Sequence, residues 1–78
     1  MATLVFLGRL ADVAGAPEMT VEPSPLAKVL AILPPELAIA LLDERVRIAL
    51  NGELLGEPES VMLESGDELA FLPPVSGG

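Results

Sequence analysis

An α+β fold, with one mixed sheet covered on one face by one main helix, is predicted by three features of this 78-residue sequence. Apolar runs rich in strand formers stand near both ends, from Thr3 to Leu7 and from Glu68 to Leu72. Only one segment carries a long helical stripe, with Leu26, Val29, Leu30 and Leu33 at i, i+3, i+4 and i+7. The remaining patterned stretches alternate apolar and polar residues, the signature of strands with one wet face. A single substantial helix can cover only one sheet face, which excludes a doubly wound α/β arrangement.

The elements follow in order. Thr3 to Leu7 reads as a strand buried on both faces and ended by Gly8. Arg9 to Ala14 suits one helical turn, stopped by Gly15 and Pro17. Met19 and Val21 alternate with Glu18, Thr20 and Glu22 as a second strand, antiparallel to the first across a loose connection. For the main helix, Ser24 is the expected cap and Pro25 fits the first turn. Pro34–Pro35 ends it, because proline lacks the amide donor and restricts the residue before it. Glu36 to Leu42 can add a further turn or two. Val46, Ile48 and Leu50 alternate with Arg47 and Ala49 as a third strand, and Asn51–Gly52 is the strongest hairpin signal in the chain. A loop through Gly56 and Pro58 leads to a brief extended piece, Val61 to Leu63. Ser65–Gly66 then turns the chain into the last strand, with Leu69 and Phe71 on one face.

This order matches the β-grasp arrangement, in which the first and last strands lie side by side in the middle of the sheet. The expectation is one β-grasp domain over residues 1–72 and a flexible carboxyl-terminal tail over 73–78.

Composition narrows the chemistry. A chain this short buries only about 60–65% of its unfolded surface, leaving little volume for an enclosed active site, so it is not expected to be catalytic alone. It has no His, Cys, Trp or Tyr, which removes the usual residues of neutral-pH acid–base, thiolate and zinc chemistry. No metal or cofactor site is expected in it. Twelve acidic residues against four basic ones give a net charge of −8, which repels phosphate backbones and anionic membranes, so neither nucleic acid nor membrane is an expected partner. No apolar stretch approaches the ~18–20 residues that cross a bilayer, and no secretory signal is seen, so a cytoplasmic location is expected.

The final stretch, Pro73–Pro74–Val75–Ser76–Gly77–Gly78, reads differently. Its two prolines terminate the ladder and keep the chain extended. Six extended residues reach roughly 20 Å, enough to enter a partner's pocket. Gly77 and Gly78 can pass a channel too narrow for any Cβ, and a terminal carboxylate on Gly78 would be the reacting group.

The run Gly66–Asp67–Glu68–Leu69–Ala70–Phe71–Leu72–Pro73–Pro74–Val75–Ser76–Gly77–Gly78 resembles the carboxyl end of the molybdopterin synthase small-subunit family, sulfur carriers of the ubiquitin-like β-grasp group. Val5–Phe6–Leu7–Gly8–Arg9–Leu10, with Gly15 after it, resembles that family's opening strand and turn. The resemblance implies that an adenylating partner similar to ubiquitin-activating enzymes uses ATP and Mg to form an acyl-adenylate at Gly78, and that a sulfur-donating enzyme supplies the sulfur that makes a thiocarboxylate. Inside a large catalytic subunit this group would donate sulfur to a cyclic pyranopterin precursor, giving the molybdopterin dithiolene. Relatives form heterotetramers of two small and two large subunits. Leu7, Leu72 and Val75 are the candidate partner contacts, with Pro73, Pro74, Ser76 and Gly77 forming the inserted arm.

Two other classes share the Gly-Gly end: a thiamine-pathway sulfur carrier, and a ubiquitin-like modifier that forms amide bonds to lysines. Several features read as ordinary structure. The helix stripe is core. Asp67 and Glu68, adjacent on a strand, point to opposite faces and suit a turn better than a catalytic pair. The acidic excess suits solubility first and partner steering second, and Arg9 is either a surface charge or a partner contact.

Overall fold

The computed structural model describes residues 1–55 and 61–74. The loop expected through Gly56 and Pro58 lies outside them. The elements run β1 (Ala2–Phe6), α1 (Arg9–Ala14), β2 (Glu18–Val21), β3 (Ser24–Pro25), α2 (Leu26–Ile32), α3 (Pro35–Leu41), β4 (Arg47–Leu50), β5 (Glu53–Leu54), β6 (Met62–Leu63) and β7 (Glu68–Leu72). Five strands make one mixed sheet in the order β2-β1-β7-β4-β5. β1 and β7 pair in parallel, with Thr3 opposite Glu68 and Phe6 opposite Phe71. The other ladders are antiparallel. This is the β-grasp arrangement.

Its core follows from the pleat. Alternate residues Leu4 and Phe6 of β1 and Leu69 and Phe71 of β7 turn to one face, where they meet Leu10 of α1, Leu26 and Val29 of α2, and Leu37 and Leu41 of α3. Phe6 and Phe71, partners in the ladder, stack with ring centroids 5.7 Å apart and planes 11° from parallel. Such a pair contributes about 0.5–1.5 kcal/mol beyond its burial. The opposite set, Val5, Ala70 and Leu72, is only half-buried. The first strand is therefore not buried equally on both faces, as its unbroken apolar run suggests: the helices all lie on one side.

The main helix is capped differently from expectation. Ser24 does not cap α2, and Pro25 precedes it instead of filling its first turn. Ser24 and Pro25 instead form β3, a two-residue bridge antiparallel to β6. The Leu26 N–H donates to the Val61 carbonyl at 3.0 Å. One of the orphan amides at the helix start is thus satisfied by a neighbouring strand, which removes the need for a side-chain cap. Within the stripe, Leu26, Val29 and Leu33 are buried but Leu30 is only half-buried. It stands on the rim of an open groove of about 780 Å³ bordered by Ala27, Ala31, Leu42, Val46 and Leu55.

Asn51 and Gly52 both adopt positive φ, 50° and 86°, as a two-residue hairpin turn of right-handed twist requires. Asn51 also ties two turns together. Its side-chain amide donates to Asp67 Oδ1 at 3.1 Å, its Oδ1 accepts from the Glu68 N–H at 2.9 Å, and Asp67 Oδ2 accepts from the Glu64 N–H at 2.8 Å.

Candidate functional site

The site is built where β7 ends. Pro73, which cannot donate to a ladder, stops the central strand. The Leu7 N–H donates to the Phe71 carbonyl at 3.1 Å, so the parallel pairing closes one residue beyond β1 and brings Leu7 level with Leu72. On the other side Leu72 is the register partner of Arg47 in β4. Leu7, Leu72 and Arg47 therefore form one row across the end of the sheet. Leu7 is exposed and Leu72 beside it is half-buried. Pro73 and Pro74 are half-buried. A Cβ placed on Gly8, where φ is +56°, would stand 3.0 Å from Pro73 Cγ; the absence of a side chain there lets the outgoing chain lie against the β1–α1 turn.

Behind that row the open face is apolar. Val5, Ala70, Ala49 and Leu54 are consecutive partners across four strands, with Leu54 62% exposed at the edge. Glu18 closes the row on the β2 side. Of the sequence-predicted contacts, Leu7, Leu72, Pro73 and Pro74 are thus brought together. Val75, Ser76, Gly77 and Gly78 lie outside the described residues. Sequence reasoning missed Arg47 and the Val5–Ala70–Ala49–Leu54 row. The signal for both was the third strand's alternation, which places Arg47 and Ala49 on the face opposite Ile48, but only the pairing of β4 with β7 shows what they flank.

Electrostatics at the two ends of the sheet differ. Arg45 grips Asp43 with two hydrogen bonds, Nε to Oδ1 at 3.1 Å and Nη2 to Oδ2 at 2.9 Å. The guanidinium hydrogen bonds, then the Arg45 backbone N–H, hold the Asp43 carboxyl at about 2, and the same pairing raises Arg45. At the far end Asp67 is lowered by the Glu64 backbone N–H and then by the Asn51 amide. Asp67 is thereby committed to a turn, and it forms no acid–base pair with Glu68. Among the described residues no group of three or more acidic side chains is arranged to hold a metal ion, and no helix is long and apolar enough to cross a membrane.

Comparison with known proteins places this geometry. The ThiS family model matches residues 4–78. The chain belongs to the ThiS family. A 41-residue segment is 44% identical to the molybdopterin synthase sulfur carrier subunit of Emericella nidulans, covering 53% of this chain and 44% of that protein. The chain thus matches less than half the length of that relative. Among solved structures, SAMP1 of Haloferax volcanii superposes with a TM-score of 0.71 at 28% identity, over 99% of this chain and 98% of that one. A chain from the complex of subunits 1 and 2 of molybdopterin-converting factor of Helicobacter pylori 26695 superposes with a TM-score of 0.70 at 26% identity, over 99% and 97%. The ThiS-family protein described here is thus a ubiquitin-like β-grasp protein with sulfur carriers among its relatives.

Proposed function

We propose that this ThiS-family protein is the sulfur-carrying small subunit of molybdopterin synthase. One observation supports this reading above the others: the family match runs through the Pro73-to-Gly78 segment, and that segment is rooted at the end of a central strand beside an exposed apolar face. A carrier needs that combination. The sheet anchors the arm, the open face seats a partner, and the arm delivers its end into the partner's pocket.

The chemistry then belongs to Gly78. A carboxylate is a poor electrophile. An oxygen of it attacks the α-phosphorus of ATP on an adenylating enzyme, with Mg balancing the phosphate charge, and pyrophosphate leaves. The acyl-adenylate gives its carbon a good leaving group. Hydrosulfide released by a donor enzyme adds there, AMP departs with the electron pair of the carbon–oxygen bond, and a thiocarboxylate remains after loss of the sulfur-bound proton. In the large catalytic subunit that sulfur attacks a carbon of a cyclic pyranopterin monophosphate as that carbon's bond to an oxygen of the precursor breaks and the oxygen leaves with the electron pair. Hydrolysis of the resulting thioester returns the carboxylate and leaves the sulfur on the pterin. Pocket, cations and proton transfers are the partner's. The small subunit contributes sulfur and the surface that aligns it, consistent with a chain that lacks the usual neutral-pH acid–base residues.

A second reading, a ubiquitin-like modifier, draws on the likeness to SAMP1, a small archaeal modifier protein. It shares activation at Gly78 and ends in a lysine amide. Intact-mass analysis of the protein purified from its host tests both. Replacement of one oxygen by sulfur at Gly78, together with conversion of precursor by the thiocarboxylated protein and the large subunit, is the expected result. Lysine conjugates without precursor conversion would favour the modifier and overturn the pterin assignment.

A further inference from the structure

Three of the four cations of this chain stand at the end of the sheet from which the arm departs. Arg47 is the register partner of Leu72. Arg9 opens α1 immediately after Gly8, the residue against which Pro73 lies. Arg45 precedes β4, and it is taken: its guanidinium is held by Asp43. Arg9 and Arg47 are exposed, and among the described residues the one ion pair is Arg45 with Asp43. Asp12, Glu18 and Glu44 share this end of the molecule, yet none lies within ion-pair distance of either guanidinium. The opposite end of the sheet, around Glu53, Glu64, Asp67 and Glu68, holds no arginine or lysine. The chain as a whole is strongly anionic, so two uncommitted guanidinium groups beside the root of the arm run against its overall field.

We infer that Arg47, supported by Arg9, is the charge-recognition element of docking, and that the tail-receiving partner carries carboxylates on the rim of its apolar seat, one of them paired with Arg47 next to Leu72. This rests on the reading above that the large subunit receives the arm. An apolar row alone does not set register, because a seat for Leu7, Leu72 and Leu54 tolerates sliding along the face. A planar guanidinium at one end of the row does, since its paired donors accept a carboxylate in a narrow range of positions. Arginine beside a desolvated apolar centre is also a common carrier of binding energy. The occupant is therefore a protein groove that is apolar at its floor and acidic at one lip.

Titration calorimetry of the full chain against the large subunit, at low and high salt, tests this. The reversals R47E and R9E are compared with K28E, which makes the same change of net charge on α2, in the helical layer on the other side of the sheet. R47E should weaken binding about tenfold or more and R9E by a smaller factor, with the difference from wild type shrinking as salt rises. K28E should stay within about twofold of wild type, and R47K should recover most of the loss. Thermal melts of all four should match wild type, because the substituted side chains are exposed. Wild-type binding together with an R47E affinity within about twofold of it would overturn the inference and leave the carrier reading standing. Equal weakening by K28E would overturn it too, by assigning the effect to net charge. Failure of the wild-type protein to bind at all would remove the carrier reading and this inference with it.

Discussion

The two faces of the central strands carry opposite assignments within the same stretch of sequence. On β1, Leu4 and Phe6 are sealed under the helices while Val5 between them is half-exposed. On β7, Leu69 and Phe71 are sealed while Ala70 and Leu72 are not. All of these residues are apolar, so hydrophobicity does not separate them; the pleat does. One set holds the fold and the other is a surface whose apolar character folding does not use. Substitutions one residue apart should therefore fail in different assays.

The largest effect should come from beyond both faces. On the proposed role of Gly78, its deletion moves the reacting carbon back by up to about 3.5 Å, a misplacement that near-attack geometry does not accommodate. Adenylation, measured by ATP–pyrophosphate exchange, and molybdopterin production should fall to background while the denaturant midpoint stays at the wild-type value. Extending the chain by one residue after Gly78 should do the same. Substantial synthesis by either variant would break the division between scaffold and arm.

Next in size is the sealed face. Leu69→Ala should cost about 2–5 kcal/mol in a urea titration, a large share of a small domain's stability. The open face should respond in the other assay: Leu72→Ala should stay within about 1 kcal/mol of wild type in the same titration yet weaken binding to the large subunit about tenfold. A Leu72→Ala loss as large as that of Leu69→Ala would mean that the two faces are not distinct. Leu30→Ala should fall between them, because that side chain sits on the groove rim and not in the core.

The smallest effect tests the turn clasp. Asp67 has a folded pKa depressed below its unfolded value of about 3.9, so its contribution is present above that value and is lost as pH falls through the folded pKa. Melting temperature should hold steady from neutral pH down to about 4 and then decline. Asp67→Asn should flatten part of that decline; an unchanged acid limb would show that the clasp does not report on Asp67.

Much of this organisation was legible from local pattern. The span of α1, the Asn51–Gly52 turn and the last strand over Glu68–Leu72 appear where hydrophobic period and turn chemistry place them. The parallel neighbouring of the two apolar end strands followed from element order. The helix cap was not legible, because Ser24 has the chemistry of a capping residue and only the distant Val61 carbonyl makes that chemistry unnecessary. Nor was Arg47 legible as part of the site: an alternating cation on a strand reads as a solvated face until the neighbouring strand is known to be the one that carries the arm.

The pairing of Thr3 with Glu68 has a consequence for synthesis. β1 emerges first, but its parallel neighbour is made about sixty-five residues later, and contacts so distant in sequence close slowly. Until then Leu4 and Phe6 have the helices to pack against but no strand beside them on the β7 side, and the sheet is split between β1 and β4. Completion of the last strand is the event that closes the core and also sets the direction in which the arm leaves it. The root of the arm at Pro73 is therefore fixed against Gly8 only in a chain whose sheet has closed, so its placement reports on the pairing of the first strand with the last.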